Sequence, residues 1–112
     1  MGTFSHIGTG FITAPPTKAG PLAGVGTDIF DGNGGITSTA SLSVNGNIVP
    51  VAATGTYKVN PDFTGTYTIP GVTTLFLVID DGGNEVKAVC TDPGSVVTHI
   101  FRRLFPVGDP RG

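Results

Sequence analysis

The chain has 112 residues, including 18 Gly and 9 Pro, and its formal net charge is −2. This length predicts one domain, residues 1–112, with a single core. Only six Lys and Arg stand against eight Asp and Glu, and no basic patch is available to neutralise phosphates, so we expect no nucleic-acid partner.

Two further expectations concern membranes and metals. The longest apolar run, residues 75–79, is far too short to span a bilayer, so we expect no membrane partner. The single cysteine, Cys90, excludes an internal disulfide, and no Cys or His spacing indicates a metal, so we expect neither a metal nor a cofactor. Low charge with much Gly and Thr favours an exported protein slightly over a cytoplasmic one.

Turn signals recur about every 8 to 12 residues along the chain, which is typical of an all-β barrel or sandwich. They predict a first strand over residues 4–13, a second over residues 23–30, and eight strands in total. The signals are Ala14-Pro15-Pro16 with Gly20-Pro21, Asp31-Gly32-Asn33-Gly34-Gly35, Asn45-Gly46, Asn60-Pro61-Asp62-Phe63, Pro70-Gly71, Asp81-Gly82-Gly83-Asn84 and Asp92-Pro93-Gly94. We predict an eight-stranded antiparallel up-and-down barrel, with a β-sandwich as the alternative.

Asn45-Gly46 is the most specific turn signal, because a two-residue type I′ turn needs positive φ at both positions. It pairs Leu42 with Val49 and places the apolar residues of both strands on one face. The other face collects hydroxyl side chains. This alternation predicts one buried face and one solvated face.

The sequence Gly-Thr-Tyr occurs on both sides of the turn at residues 60–63. A loop of three or five residues pairs Tyr57 with Tyr67 and keeps the core face apolar, whereas a four-residue loop separates the two tyrosines onto opposite faces. We therefore predict that both tyrosines point inward.

The sixth predicted strand is apolar on both faces, with Leu75, Leu77 and Ile79 on one and Phe76 and Val78 on the other. We expect the second face to be covered by another copy of the chain, so that the outer face of residues 75–79 forms a homo-oligomer contact. The alternative cover is the long Pro-rich connection at residues 14–21. The last segment, residues 95–105, fits a helical stripe or a strand. Its β-branched residues favour a strand that closes the barrel.

Four runs carry a resemblance to known proteins: "GVGTDIFDGNGGITSTASLSVNG", "GTYKVNPDFTGTYTI", "LFLVIDDGGNEVKAV" and "TDPGSVVT". Over residues 24–98 they resemble a group of small, mostly uncharacterised bacterial proteins, similar to the allene oxide cyclase barrel and more loosely to lipocalins. The resemblance implies a closed meander with an apolar interior for one small ligand. It carries over no cyclase catalytic motif, and Phe63 stands where such proteins often have Cys.

Asp28 and His99 are the candidate catalytic residues. If Phe30 pairs with Ile36, Asp28 shares the inward face and becomes a desolvated general acid or base; a loop one residue shorter leaves it in water, which is the usual position of Asp. His99 alternates with Val97 and Phe101, so it is either an inward acid–base partner of Asp28 or a structural histidine.

Two other residues with reactive side chains have less support as site residues. His6 lies in the first strand without a partner that the sequence identifies. Cys90 has no neighbouring cation, and we interpret it as a buried, inert thiol.

The predicted ligand-binding residues are the inward apolar and aromatic side chains Phe30, Leu42, Val51, Tyr57, Tyr67 and Phe101. Three functions are compatible with these observations. The first is a barrel that binds a small apolar molecule. The alternatives are an enzyme of the cyclase, isomerase or hydrolase type with acid–base groups inside the barrel, and a structural or interaction module.

Overall fold

Eight strands follow one another around a closed barrel in the computed structural model, which describes residues 2–111. The strands are β1 (Gly2–Ile12), β2 (Gly20–Phe30), β3 (Gly35–Val44), β4 (Asn47–Val59), β5 (Thr64–Ile69), β6 (Thr73–Asp80), β7 (Glu85–Cys90) and β8 (Ser95–Arg103). Each pairs antiparallel with the next, and β1 also pairs with β8. The predicted up-and-down barrel is confirmed, and the last segment is a strand.

The predicted strand registers are confirmed at both hairpins that the sequence defined. Leu42 lies opposite Val49, with Asn45 and Gly46 at positive φ in the turn between their strands. Tyr57 lies opposite Tyr67, and Val59 lies opposite Gly65 across a five-residue loop. In β6, Leu75 and Leu77 are buried inside the barrel.

One end of the barrel interior is filled by large side chains. We call it the packed end; it contains Phe4, Phe30, Leu77, Val86 and Phe101, all of which are almost fully buried. The Phe4 and Phe30 rings meet edge to face with centroids 5.4 Å apart, and the Arg103 guanidinium lies 4.8 Å from the centre of the Phe4 ring. These contacts close the end at which β1 begins.

The opposite end has much less side-chain volume, because four inward positions of β1 and β2 are glycines. They are Gly8, Gly10, Gly24 and Gly26. A Cβ atom at Gly10 would collide with the carbonyl oxygen of Val96, and one at Gly26 would collide with that of Thr39. The absence of side chains therefore allows neighbouring strands to approach closely and leaves space inside this end, which we call the cavity end.

The outer face of β6 carries two half-exposed apolar side chains, since Phe76 and Val78 are each 42% exposed. The inward and outward sets of this strand are as the alternation predicted. The contact between copies at this face stays a prediction.

Within residues 2–111, no helix has the length and apolar character needed to cross a bilayer.

Phe63 occupies an unfavourable backbone conformation at the tip of the β4–β5 loop. Its φ is 68°, a left-handed value that costs an aromatic residue about 1 kcal/mol or more, and its side chain is 67% exposed. Phe63→Asn should raise the free energy of unfolding by about 0.5 to 1 kcal/mol, because Asn tolerates this conformation. Urea denaturation measures the change. Phe63→Ala is the control, since it removes the same aromatic surface without that tolerance; equal stabilities of the two variants would contradict the prediction.

Candidate functional site

The cavity end contains a partly open pocket of about 120 Å³. Most of its wall is aliphatic or aromatic: Ile12, Leu22, Ala40, Leu42, Val51, Ile69, Val72, Leu75, Val97 and Phe101. The inward glycines of β1 and β2 provide the room, and the packed end blocks the other side. The barrel therefore contains a small apolar pocket at one end rather than a channel through its axis.

A polar cluster lies where the cavity meets the packed end. We call it the polar floor; it comprises His6, Asp28, Ser38, Tyr67 and His99. Its centre is the Asp28 carboxylate, which is 0% exposed and therefore requires hydrogen-bond donors in place of water. The other four members line the cavity.

Two side chains satisfy the two oxygens of Asp28. His6 Nδ1 lies 2.6 Å from Oδ2, and the Tyr67 hydroxyl donates to Oδ1 at 3.0 Å. The His6 side chain is 8% exposed, so the contact lies inside the barrel. An Asp–His contact of this kind holds the imidazole ring in one orientation and leaves its second nitrogen, Nε2, for another partner.

Strand pairing explains how these residues meet. Phe30 lies opposite Ile36, so Asp28 lies opposite Ser38 on β3 and faces inward. The β2–β3 loop is held by Asp31, whose carboxylate accepts hydrogen bonds from the backbone N–H groups of Asn33 and Gly35. These bonds keep the pKa of the Asp31 carboxyl below its ordinary value.

The burial of Tyr67 changes its acidity. Its pKa is raised well above the ordinary value, because desolvation and the adjacent Asp28 carboxylate both disfavour the phenolate, and a hydrogen bond with Ser38 only partly opposes them. The hydroxyl is therefore protonated at neutral pH and acts as a hydrogen-bond donor to Asp28.

His99 lies beside the Asp28–His6 pair and makes no hydrogen bond through Nδ1. This nitrogen is buried and has no partner among residues 2–111, while the ring packs against His6 with centroids 5.9 Å apart. Desolvation, reinforced by repulsion from His6 and partly opposed by Asp28, lowers the pKa of His99 to about 4. His99 is thus a neutral imidazole at pH 7.

The structure places the predicted site residues in two different regions. Leu42, Val51, Tyr67, Phe101 and His99 line the cavity. Phe30 lies in the packed end against Tyr57, with ring centroids 5.0 Å apart. The Tyr57 hydroxyl accepts a hydrogen bond from Gly32 N, so it faces the loops at that end, away from the cavity.

The structure decides between the alternatives that the sequence left open for the titratable residues. Phe30 pairs with Ile36, so Asp28 faces inward and does not have the water exposure that is usual for Asp. Its direct partner is His6 rather than His99. Sequence reasoning missed His6 because the β1–β2 connection is long and carries no turn that defines the register. With His6 opposite Gly26, the histidine lies diagonal to Asp28, which is within reach of a long side chain.

Cys90 lies at the side of the cavity and is only partly buried. Its thiol donates to the Asp92 carboxylate at 3.3 Å, and the same oxygen accepts a hydrogen bond from Thr74 N at 3.0 Å. The thiol therefore lies beside a carboxylate oxygen that a backbone N–H group also contacts.

Comparison with known proteins identifies no related protein. The chain matches no protein-family model, and neither the curated proteins nor the solved structures contain a significant match. The closed eight-stranded barrel is compatible with a lipocalin-like architecture, and the more specific likeness to the allene oxide cyclase barrel stays a prediction. Among residues 2–111, no three His, Cys, Asp or Glu side chains lie together in a way that would hold a metal ion.

The lowered pKa of His99 predicts a stability change in acid. As the pH falls from about 6.5 to about 4, His99 takes up a proton in the unfolded chain but stays neutral in the folded protein. The native state therefore loses stability. Between pH 7 and pH 4.5 the wild type should lose about 2 kcal/mol more than His99→Phe. Urea denaturation of both proteins at the two pH values measures this difference. Equal losses would contradict a neutral, buried His99.

Proposed function

We propose that the protein binds a small, mainly apolar molecule in the cavity end of its barrel. The observation that carries this proposal is an unfilled space of about 120 Å³ with an aliphatic wall, in a domain whose other end is fully packed. An unfilled apolar space reduces stability through lost contacts, so its retention supports a role for the space itself.

The size of the cavity limits the ligand. A dry apolar cavity of about 150 Å³ in another protein accommodates benzene, so about one six-membered ring fits here. Such a ligand has few atoms to contact the wall, and roughly 0.1–1 mM is the expected dissociation constant for a ring with one substituent.

The polar floor supports binding in a defined orientation. Binding pockets combine an apolar wall with a few fixed polar groups that orient the ligand. Here His6 is positioned by Asp28, and Asp28 is in turn bonded by Tyr67. A ligand in the cavity therefore meets apolar side chains around it and imidazole nitrogens at one end.

Filling the cavity should abolish binding. Ala40 lines the cavity, and Ala40→Leu places three additional carbon atoms in a space for one ring. We expect at least a tenfold rise in the dissociation constant for toluene, measured by titration with NMR detection. Ala52→Leu is the matched control, because Ala52 is exposed on the neighbouring strand β4 and should leave binding unchanged. Equal affinities of the two variants would contradict binding inside the barrel.

A second candidate function is acid–base catalysis, and the Asp28–His6 contact of 2.6 Å favours it. A carboxylate bonded to Nδ1 holds the imidazole in the orientation and tautomer that leave the other nitrogen available to accept a proton. Within an apolar cavity, His6 Nε2 would then act as a general base toward a bound C–H or O–H acid.

A reporter small enough for this cavity is the opening of isoxazole, in which a base removes the C3 proton, the N–O bond breaks, and the enolate of cyanoacetaldehyde forms. We expect Asp28→Asn and His6→Gln each to lower the protein-dependent rate about tenfold or more. Thr98→Val is the matched control, because Thr98 is exposed on β8 and does not line the cavity. Identical rates for all three variants would remove His6 as the base.

An interaction module is the third alternative. The contact predicted for it is the outer face of β6, where Phe76 and Val78 are half-exposed. Neither residue lines the cavity, so contact between copies at this face and binding inside the barrel are independent proposals.

A further inference from the structure

We infer that the cavity selects an uncharged molecule with one hydroxyl group on a ring, a phenol or a cyclic alcohol, over hydrocarbons and carboxylates of the same size. This inference rests on the proposed binding function and adds the chemical class of the ligand. Three features of the polar floor carry it: an unpaired buried nitrogen, the sign of the buried charge, and the hydrogen-bonding capacity of two imidazoles.

The unpaired nitrogen is His99 Nδ1, which is buried and has no hydrogen-bond partner among the described residues. A buried polar atom without a partner is destabilising, and it gains one when a ligand supplies the matching group. The ring lies against Gly8, where any Cβ atom would collide with it. The glycine therefore makes space for an imidazole that lines the cavity, and the Nδ1 atom of this imidazole has no partner among the described residues.

The charge of the floor excludes anions. Asp28 is 0% exposed, and Asp92 is a second carboxylate beside the cavity. Within residues 2–111, no Lys or Arg side chain lines this space. A ligand carboxylate would therefore be desolvated beside two carboxyl groups of the protein, in a space that no Lys or Arg side chain of residues 2–111 lines, which is unfavourable.

A hydroxyl group matches what the two histidines offer. A neutral imidazole has one donor and one acceptor nitrogen, and a hydroxyl group is both a donor and an acceptor. It can therefore pair with His99 Nδ1 in either tautomer, and equally with the nitrogen of His6 that Asp28 leaves free. A hydrocarbon pairs with neither, so the buried nitrogens stay unsatisfied when it binds.

Toluene, phenol and benzoate test the inference, since they share one ring and differ in a single substituent. In a purely apolar cavity toluene binds better than phenol, because the phenol hydroxyl loses its water. Here we expect phenol to bind the wild type at least tenfold more tightly than toluene, and at least tenfold more tightly than benzoate, in NMR titrations at pH 7.

His99→Phe identifies the partner of the hydroxyl, and it should reverse the preference so that toluene binds at least as tightly as phenol. Thr98→Val is the matched control, because Thr98 is the exposed neighbour of His99 on β8, and it should keep the wild-type order. The wild-type comparison needs no variant and decides the inference even if His99→Phe does not fold. Toluene binding as tightly as phenol in the wild type overturns the inference and leaves the proposed binding function intact. Failure of both compounds to bind overturns both.

Discussion

The interior of this protein is governed by a constraint of closed barrels: the inward side chains of all eight strands share one fixed volume. β1 and β2 divide that volume unequally, because each has an inward Phe near the packed end and two inward glycines farther along the strand. The phenylalanines meet and close the packed end. The glycines reduce the side-chain volume at the opposite end, where the cavity lies. Large and small inward residues on two strands thus separate a packed half from a half that contains the cavity.

The polar floor lies at the boundary between these halves, and its arrangement follows from burial. Once Asp28 is turned inward, it must be hydrogen-bonded, and Tyr67 and His6 meet that requirement from two different strands. The same contacts fix the His6 ring beside the cavity. One set of interactions therefore satisfies a buried carboxylate and positions an imidazole beside the cavity. His99 stands apart from this set, since its Nδ1 has no partner in the described chain.

Local signals in the sequence were sufficient to predict strand pairing wherever a short turn defines the register. Asn45-Gly46 determined the β3–β4 pairing, and the repeated Gly-Thr-Tyr determined the inward direction of Tyr57 and Tyr67. The orientation of the Asp28 side chain was undecided, because it depended on the length of the β2–β3 loop. The role of His6 was missed for a different reason. Its contact with Asp28 depends on the register across a seven-residue connection, residues 13–19, and hydrophobic alternation is weak in β1 and β2, which have three glycines each.

The contact between His6 and Asp28 also has a consequence for how the chain selects its fold. Glycine-rich strands such as β1 and β2 specify their pairing poorly, since many offsets bury similar surfaces. A one-residue slip would point one of the two polar side chains outward, and a larger even slip would keep both inside but separate them. Either error leaves a carboxylate buried without its partner or removes it from the interior. The polar pair therefore favours the observed register of β1 and β2, in the part of the barrel where apolar packing distinguishes least between registers.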